Sequence, residues 1–295
     1  MILLTGATGF VGRHLLARLV TRGERVRCLV HRLPVAGAQL EQGVVVARGS
    51  VADPASLHDA MVGVDTVIHL VAVIRETRST TFAGINVQGT RNVLAAAKEA
   101  GVRRVFHMGA LGASPNAAYP FTYSKWLAEE AVRHSGMPYT ILEPSIIFGE
   151  GDEFVTKLAG IVRLSPFVPI IGTGANLFQP IWVEDVVTCV LKSLDDDSFL
   201  GKTIQVGGPE HLSYEQIVDE IARALGKRGP KLHIPLALIR PMVRAMETLL
   251  PSPPITTAQL AMLSLKNVTD LDSVPTHFGF TPAFLRDKLG HVSLP

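Results

Sequence analysis

Met1-Ile2-Leu3-Leu4-Thr5-Gly6-Ala7-Thr8-Gly9-Phe10-Val11-Gly12 reads as a short apolar strand that meets a glycine-rich turn. Helical spacing through Leu15, Leu16 and Leu19 follows at once. The glycines stand as G-x-x-G-x-x-G, one residue longer than the G-x-G-x-x-G dinucleotide fingerprint, but the physical logic is shared. Gly6 allows the sharp turn, Gly9 lets backbone approach a pyrophosphate, and Gly12 lets helix and strand pack closely. The helix start then offers unpaired N–H groups and a positive dipole end to phosphates.

Outward from this turn, two hydrophobic periods alternate. Strands are expected at residues 25–30, 44–47, 66–71, 105–108 and 139–142. Helices are expected at 80–100, stopped by Gly101, and at 120–134, with Pro120 in the first turn. Unbroken apolar strands such as Thr66-Val67-Ile68-His69-Leu70-Val71 fit burial on both faces. The fold class read from this is α/β: a Rossmann-type doubly wound parallel sheet with a smaller C-terminal α/β lobe. Beyond about residue 145 Pro and Gly punctuate more densely. The expected layout is a nucleotide-binding domain over 1–145, with further core elements near 180–206, and a substrate or partner lobe made mainly of 146–295.

Composition narrows the function classes. With 47% hydrophobic and 18% charged residues the chain is too apolar for disorder, and a net charge of +2 argues against a nucleic-acid binder. Two cysteines, Cys28 and Cys189, exclude a disulfide framework and a four-cysteine zinc site. The ten histidines show no metal spacing, so no metal is expected. His69 and His107, inside apolar strands, read as satisfied core histidines. No signal-peptide pattern and no transmembrane run is visible, which points to the cytoplasm.

An NAD binder should place an acid at the end of the second strand, about 20 residues past the glycine turn, for the ribose 2′-hydroxyl. The sequence has Val30-His31-Arg32 there. Arg32 can pair with a 2′-phosphate, so NADP(H) is favoured over NAD(H).

Five motifs in order carry a resemblance: Thr5 to Gly12, His69 to Ala72, Asn86-Val87-Gln88-Gly89-Thr90, Glu143 to Gly149, and Pro180-Ile181-Trp182-Val183-Glu184-Asp185-Val186. Together they resemble the extended and atypical short-chain dehydrogenase/reductase superfamily, which includes epimerases and dehydratases. With Ala110-Leu111-Gly112-Ala113 they are most similar to the branch that holds the nucleotide-binding accessory subunit of respiratory complex I and its bacterial relatives. The resemblance implies that Gly6, Thr8, Gly9, Phe10, Val11 and Gly12 hold the pyrophosphate and that His31 and Arg32 take the 2′-phosphate. Ser50, in place of the acid usual there, and Val51 would flank the adenine. Leu70, Val71 and Ala72 would pass beneath the ribose, and Met108 and Gly109 would lie near the nicotinamide. Pro144, Ser145, Ile146 and Ile147 would close over the carboxamide.

Active members carry a Tyr-x-x-x-Lys pair on one helix face and a Ser or Thr at the end of the fifth strand. The phenol is the acid or base, and the Lys cation lowers its pKa and holds the ribose. Here the helix reads Phe121-Thr122-Tyr123-Ser124-Lys125. Lys125 matches the lysine, but Phe121 stands where the acid should, and Gly109 stands in place of the hydroxyl. Tyr123 is two residues from Lys125, roughly 200° around the axis. Tyr119 lies before the helix and could reach in only from the loop. Ser114 is further along a loop.

Three readings follow, in order. The first is an NADP(H)-binding protein without the usual turnover, acting as a structural, assembly or redox-sensing component linked to respiratory quinone chemistry. The second is an active NADPH-dependent reductase, epimerase or dehydratase with an unconventional acid, Tyr119 or a water, alongside Lys125. The third is a pure interaction module, which the intact glycine turn disfavours. The apolar stretch from His233 to Glu247, with Arg240 and Arg244 at i and i+4, either closes the lobe's own core or docks a ligand, a protein or a membrane surface. The last option would make the protein peripheral at the inner face of a membrane.

Overall fold

The computed structural model describes residues 1–31, 44–77, 79–250, 255–263 and 265–293. Arg32 lies outside them.

The chain runs β1 (Ile2–Thr5), α1 (Phe10–Thr21), β2 (Val26–Val30), β3 (Val44–Arg48), α2 (Pro54–Met61) and β4 (Thr66–His69). A π-helical turn (Phe82–Gln88) leads straight into α3 (Gly89–Glu99), followed by β5 (Arg104–Met108), α4 (Pro120–Arg133) and β6 (Tyr139–Pro144). Then come β7 (Ile147–Phe148), α5 (Phe154–Leu164), β8 (Val168–Ile171), β9 (Leu177–Phe178), β10 (Ile181–Trp182), α6 (Val183–Asp195) and β11 (Lys202–Val206). The last part holds β12 (Leu212–Ser213), α7 (Tyr214–Ala224), β13 (Lys231–Ile234), α8 (Leu236–Leu249), α9 (Thr257–Met262), α10 (Ser273–Phe278) and α11 (Gly290–Ser293).

Two compact units result: Met1–Glu143 with Val190–Ile204, and Pro144–Cys189 with Gln205–Pro295. The main sheet has seven strands in the order β11-β6-β5-β4-β1-β2-β3, with β1 to β6 parallel. This is the doubly wound order expected from the sequence, with β1 and β4 side by side at the reversal of strand order. The strands read as near-continuous apolar runs because both faces are buried: Leu4, Cys28, Ile68, Phe106 and Leu142 on one, and on the other Leu3, Val67, Val105 and Ile141, packed with Leu57, Val93, Ala97 and Val132 from α2, α3 and α4. That face turns polar at the carboxyl end of the strands, where Thr5, His69, His107 and Glu143 are all buried.

The sequence predicts one helix over 80–100, but its first part widens into the π turn. Asn86 is the anchor. Its side chain accepts from Val73 N (2.8 Å) and donates to Val73 O (3.1 Å) and Ser124 Oγ (3.0 Å), while Thr90 Oγ1 donates to the Asn86 carbonyl. Side-chain bonds of this kind compete with regular helical turns.

The second unit has its own core, in which Phe148, Val155, Val162, Ile170, Phe178, Ile217 and Ile221 meet. Its α8 buries only Ile239 and Val243 and leaves Leu238, Met242 and Leu249 exposed. Among the described residues, no helix is long and apolar enough to cross a membrane.

Candidate functional site

The glycine turn is built as phosphate binding requires. Gly6 has φ +79°, and a Cβ there would come within 3.2 Å of the Leu70–Val71 backbone. The turn from β1 thus passes directly beside the segment that leaves β4. A Cβ on Gly12 would fall 2.0 Å from the Gly6 carbonyl oxygen, so only glycine lets α1 start this close to β1. Gly9 is the N-cap of α1, with no side-chain cap and no acid in the first turn. Gly9 N–H is bonded to the Gly6 carbonyl at 2.9 Å, and Thr8 and Gly9 are exposed. A narrow backbone cradle, an uncapped helix start and no competing carboxylate fit a diphosphate.

The other expected cofactor residues sit on several strand ends. His31, exposed, follows β2. Ser50 is tied into the start of α2 through Ser56, and its own hydroxyl accepts from Ala52 N. Val51 is a core residue against Gly89. Leu70 and Val71 are half-buried and Ala72 is exposed after β4. Met108 and Gly109 are buried at the end of β5. In the second unit, Pro144 ends β6, Ser145 donates to the Gln179 carbonyl, and Ile146 and Ile147 are half-buried.

Phe121, at the place of the missing acid, packs edge-on against Phe82 at 5.9 Å between ring centroids. Tyr123 instead stacks on Trp126, also at 5.9 Å, on the far side of α4 from Lys125. Tyr119, half-buried, occupies the N-cap position of α4, where its carbonyl accepts from Tyr123 N and Thr122 Oγ1.

Lys125 is 3% exposed, and its ammonium donates to the Met108 carbonyl. One and two turns further on the same face stand Glu129 and Arg133. Glu129 is 1% exposed and accepts from Arg133 Nη2 at 3.0 Å and from Ala110 N at 3.3 Å. Glu143 Oε1 accepts from the same Arg133 Nη2 at 3.5 Å, so the two carboxyls meet at one guanidinium. Burial, then the neighbouring Glu143 charge, pushes Glu129 up to about 8, which favours its protonated form at neutral pH. Burial pushes Lys125 down to about 8 against the pull of both glutamates. Nothing in the local sequence marks this cluster except the i, i+4, i+8 spacing of Lys125, Glu129 and Arg133, which is a single helix face.

The two buried histidines differ. His69 Nδ1 accepts from Thr5 Oγ1 (2.7 Å) and its Nε2 donates to Thr90 Oγ1 (3.0 Å), since the Thr90 hydroxyl already gives its proton to Asn86. Burial holds His69 neutral, with its pKa lowered to about 3. His107 corrects the expectation of a satisfied core histidine: neither ring nitrogen has a hydrogen-bond partner among the described residues. Burial and the Lys125 charge keep it neutral as well. Its ring lies 5.3 Å from that of His69.

The buried acid makes stability pH-dependent. Glu129 binds its proton more tightly folded than unfolded, where a glutamate titrates near ~4.3. Its contribution is therefore full below ~4.3 and is lost as pH rises through about 8. Lys125 acts in the opposite sense: its burial costs stability while it is charged, and that cost fades between about 8 and ~10.4. Calorimetry from pH 5 to 8 should show Tm falling by an amount equivalent to on the order of several kcal/mol, and Glu129→Gln should flatten that slope. An identical slope in the variant would assign the loss to other groups.

Against known proteins, the model of the NAD dependent epimerase/dehydratase family matches residues 2–207. The chain belongs to this family, as the ordered motifs imply. It is 31% identical over 300 residues to the mitochondrial NADH dehydrogenase [ubiquinone] 1 alpha subcomplex subunit 9 of Arabidopsis thaliana, covering 92% of this chain and 73% of that protein. It is 34% identical over 268 residues to sterol demethylase protein B of Methylococcus capsulatus, covering 81% and 78%. The solved structure of MoeE5 in complex with UDP-glucose and NAD shares the fold with a TM-score of 0.76 at 21% identity, over 99% of this chain and 97% of that one.

Proposed function

We propose that this member of the epimerase/dehydratase family binds NADP(H) in preference to NAD(H) and holds it with little or no dehydrogenase turnover, as a structural, assembly or redox-sensing component linked to respiratory quinone chemistry. When bound, the nicotinamide supplies hydride transfer. The observation that carries the reading is the missing acid: Phe121 is committed to an aromatic contact with Phe82, and no ionisable group takes its place one turn before Lys125. The likeness to a complex I subunit supports the respiratory connection. Within the site, Gly6 to Gly12 would hold the diphosphate through backbone N–H groups, His31 and Arg32 the 2′-phosphate, Ser50 and Val51 the adenine edge, and Leu70 to Ala72 the ribose. Met108 and Gly109 would floor the nicotinamide, Lys125 would hold its ribose, and Pro144 to Ile147 would meet the carboxamide. The exposed Leu238, Met242 and Leu249 of α8, with exposed Arg240 and Arg244, would form the docking face for a protein or membrane partner.

A second reading, an active reductase or epimerase, is favoured by one feature. Tyr119 stands half-buried at the N-cap of α4, near enough in the chain to serve as an acid from the loop.

Cofactor preference tests the first reading. A charge-assisted Arg–phosphate contact contributes ~1.5–3 kcal/mol, or about 10–150-fold in affinity. Calorimetric titration should give NADPH that advantage over NADH, and Arg32→Ala should erase it. Equal affinities in the wild type would remove the argument.

A further inference from the structure

Gly109 follows β5, where active members of the superfamily keep a hydroxyl, and the structure supplies a reason for the glycine. A Cβ at 109 would stand 2.6 Å from Glu129 Oε1 and 3.0 Å from Glu143 Cγ. The volume a serine side chain would enter is already filled by a carboxyl from α4. The residues on either side of Gly109 are held by the same helix face: Met108 gives its carbonyl to the Lys125 ammonium, and Ala110 gives its N–H to Glu129. The strand end is thus clamped at both sides of the glycine, once by a cation and once by an acid.

We propose that Glu129 is a positioning residue for the cofactor edge: bonded to Ala110 N and Arg133 and set beside Glu143, it fixes the Met108–Ala110 backbone and the Lys125 ammonium, and a second negative charge in this buried cluster weakens dinucleotide binding. This rests on the cofactor reading above. While Glu129 is protonated, it accepts from Ala110 N and Arg133 Nη2 and adds no negative charge beside Glu143. Without the proton, two carboxylates in contact repel each other. The added negative charge also draws Lys125 away from the Met108 carbonyl. Both changes shift the strand end.

The charged groups acting on Glu129 are Lys125 and Arg133 from α4 and Glu143 from β6; around them, Glu130 of α4 pairs with Arg133, and His107 of β5 and His69 of β4 feel the Lys125 charge. Both histidines are held neutral by burial, and the pairing of Arg133 with Glu129 and Glu130 raises its pKa further. The change above neutral pH therefore lies with the carboxyl pair and Lys125.

Two measurements test the proposal. In the cofactor-free protein, the Ala110 amide proton shift should titrate near pH 8, and Glu129→Gln, which keeps the volume and a carbonyl acceptor, should abolish that titration. In calorimetric titrations between pH 7 and 9.5, above the second ionisation of a phosphate ester at ~6, NADPH affinity of the wild type should fall about tenfold, and Glu129→Gln should hold it level. Binding whose pH slope survives in Glu129→Gln overturns this proposal and leaves the cofactor reading standing. So does a slope lost in Lys125→Arg but kept in Glu129→Gln, because the lysine would then carry the proton. An Ala110 amide that does not titrate overturns it too. A wild type that binds neither dinucleotide at any pH overturns the cofactor reading and this proposal with it.

Discussion

Saturated with NADPH, the wild-type protein is expected to leave a panel of quinones, ketones and nucleotide sugars essentially unreduced. General acid catalysis supplies typically ~10²–10⁴-fold, and the group that should provide it is a phenylalanine packed on Phe82. Installing the acid as Phe121→Tyr would set a phenol one helical turn before Lys125. The accompanying hydroxyl cannot simply be added as Gly109→Ser, because its Cβ would lie 2.6 Å from Glu129 Oε1. Overpacking of this kind costs roughly 1–3 kcal/mol. The same Cβ would also stand 3.0 Å from Glu143 Cγ and 3.1 Å from Ile141 Cγ2, so Phe121→Tyr with Gly109 kept is the variant expected to gain NADPH oxidation. The deciding measurement remains the wild-type rate. Brisk turnover that survives Tyr123→Phe and collapses with Tyr119→Phe would replace the first reading with the second, the loop tyrosine having taken the acid's role. Brisk turnover that survives both would place the proton on a water or another side chain and equally end the claim of an inert cofactor binder.

Replacing Gly9 by valine should reduce dinucleotide affinity by at least about 100-fold while leaving the fold largely intact. The pyrophosphate is expected to lie against backbone here, and a branched side chain would occupy that approach. The fold has little to lose at this position. Gly9 is exposed, its φ of −78° is open to any residue, and an added Cβ would meet only the Gly6 carbonyl oxygen, at 3.2 Å. The N-cap preference costs well under about 2 kcal/mol. Gly12 is the contrasting position, because a Cβ there would collide with the Gly6 carbonyl at 2.0 Å and the β1–α1 packing itself would fail. Circular dichroism and cofactor titration read the two halves separately. A Gly9→Val protein that still binds NADPH would reduce the glycine turn to a structural device.

What the sequence by itself determined is what rests on local rules. The strand, glycine turn and helix at residues 1–21 follow from apolar period and from backbone geometry that only glycine adopts. The alternation through β6, and with it the doubly wound sheet, follows from repeating those two periods. The absent acid at Phe121 and the opposed direction of Tyr123 are also local, since three and four residues fix a helix face. The tertiary structure alone decided the rest. That Gly109 faces an occupied volume depends on Glu129 reaching across from α4 and on Glu143 arriving from β6. The π turn at Phe82–Gln88 depends on Asn86 finding Val73. The contrast between His69 and His107, two histidines in matching strand register, depends on Thr5 and Thr90 flanking only the first. In each case the deciding partner lies on a different element, so hydrophobic period carries no trace of it. Burial and charge, which set the protonation of Glu129 and Lys125, exist only once those elements have packed.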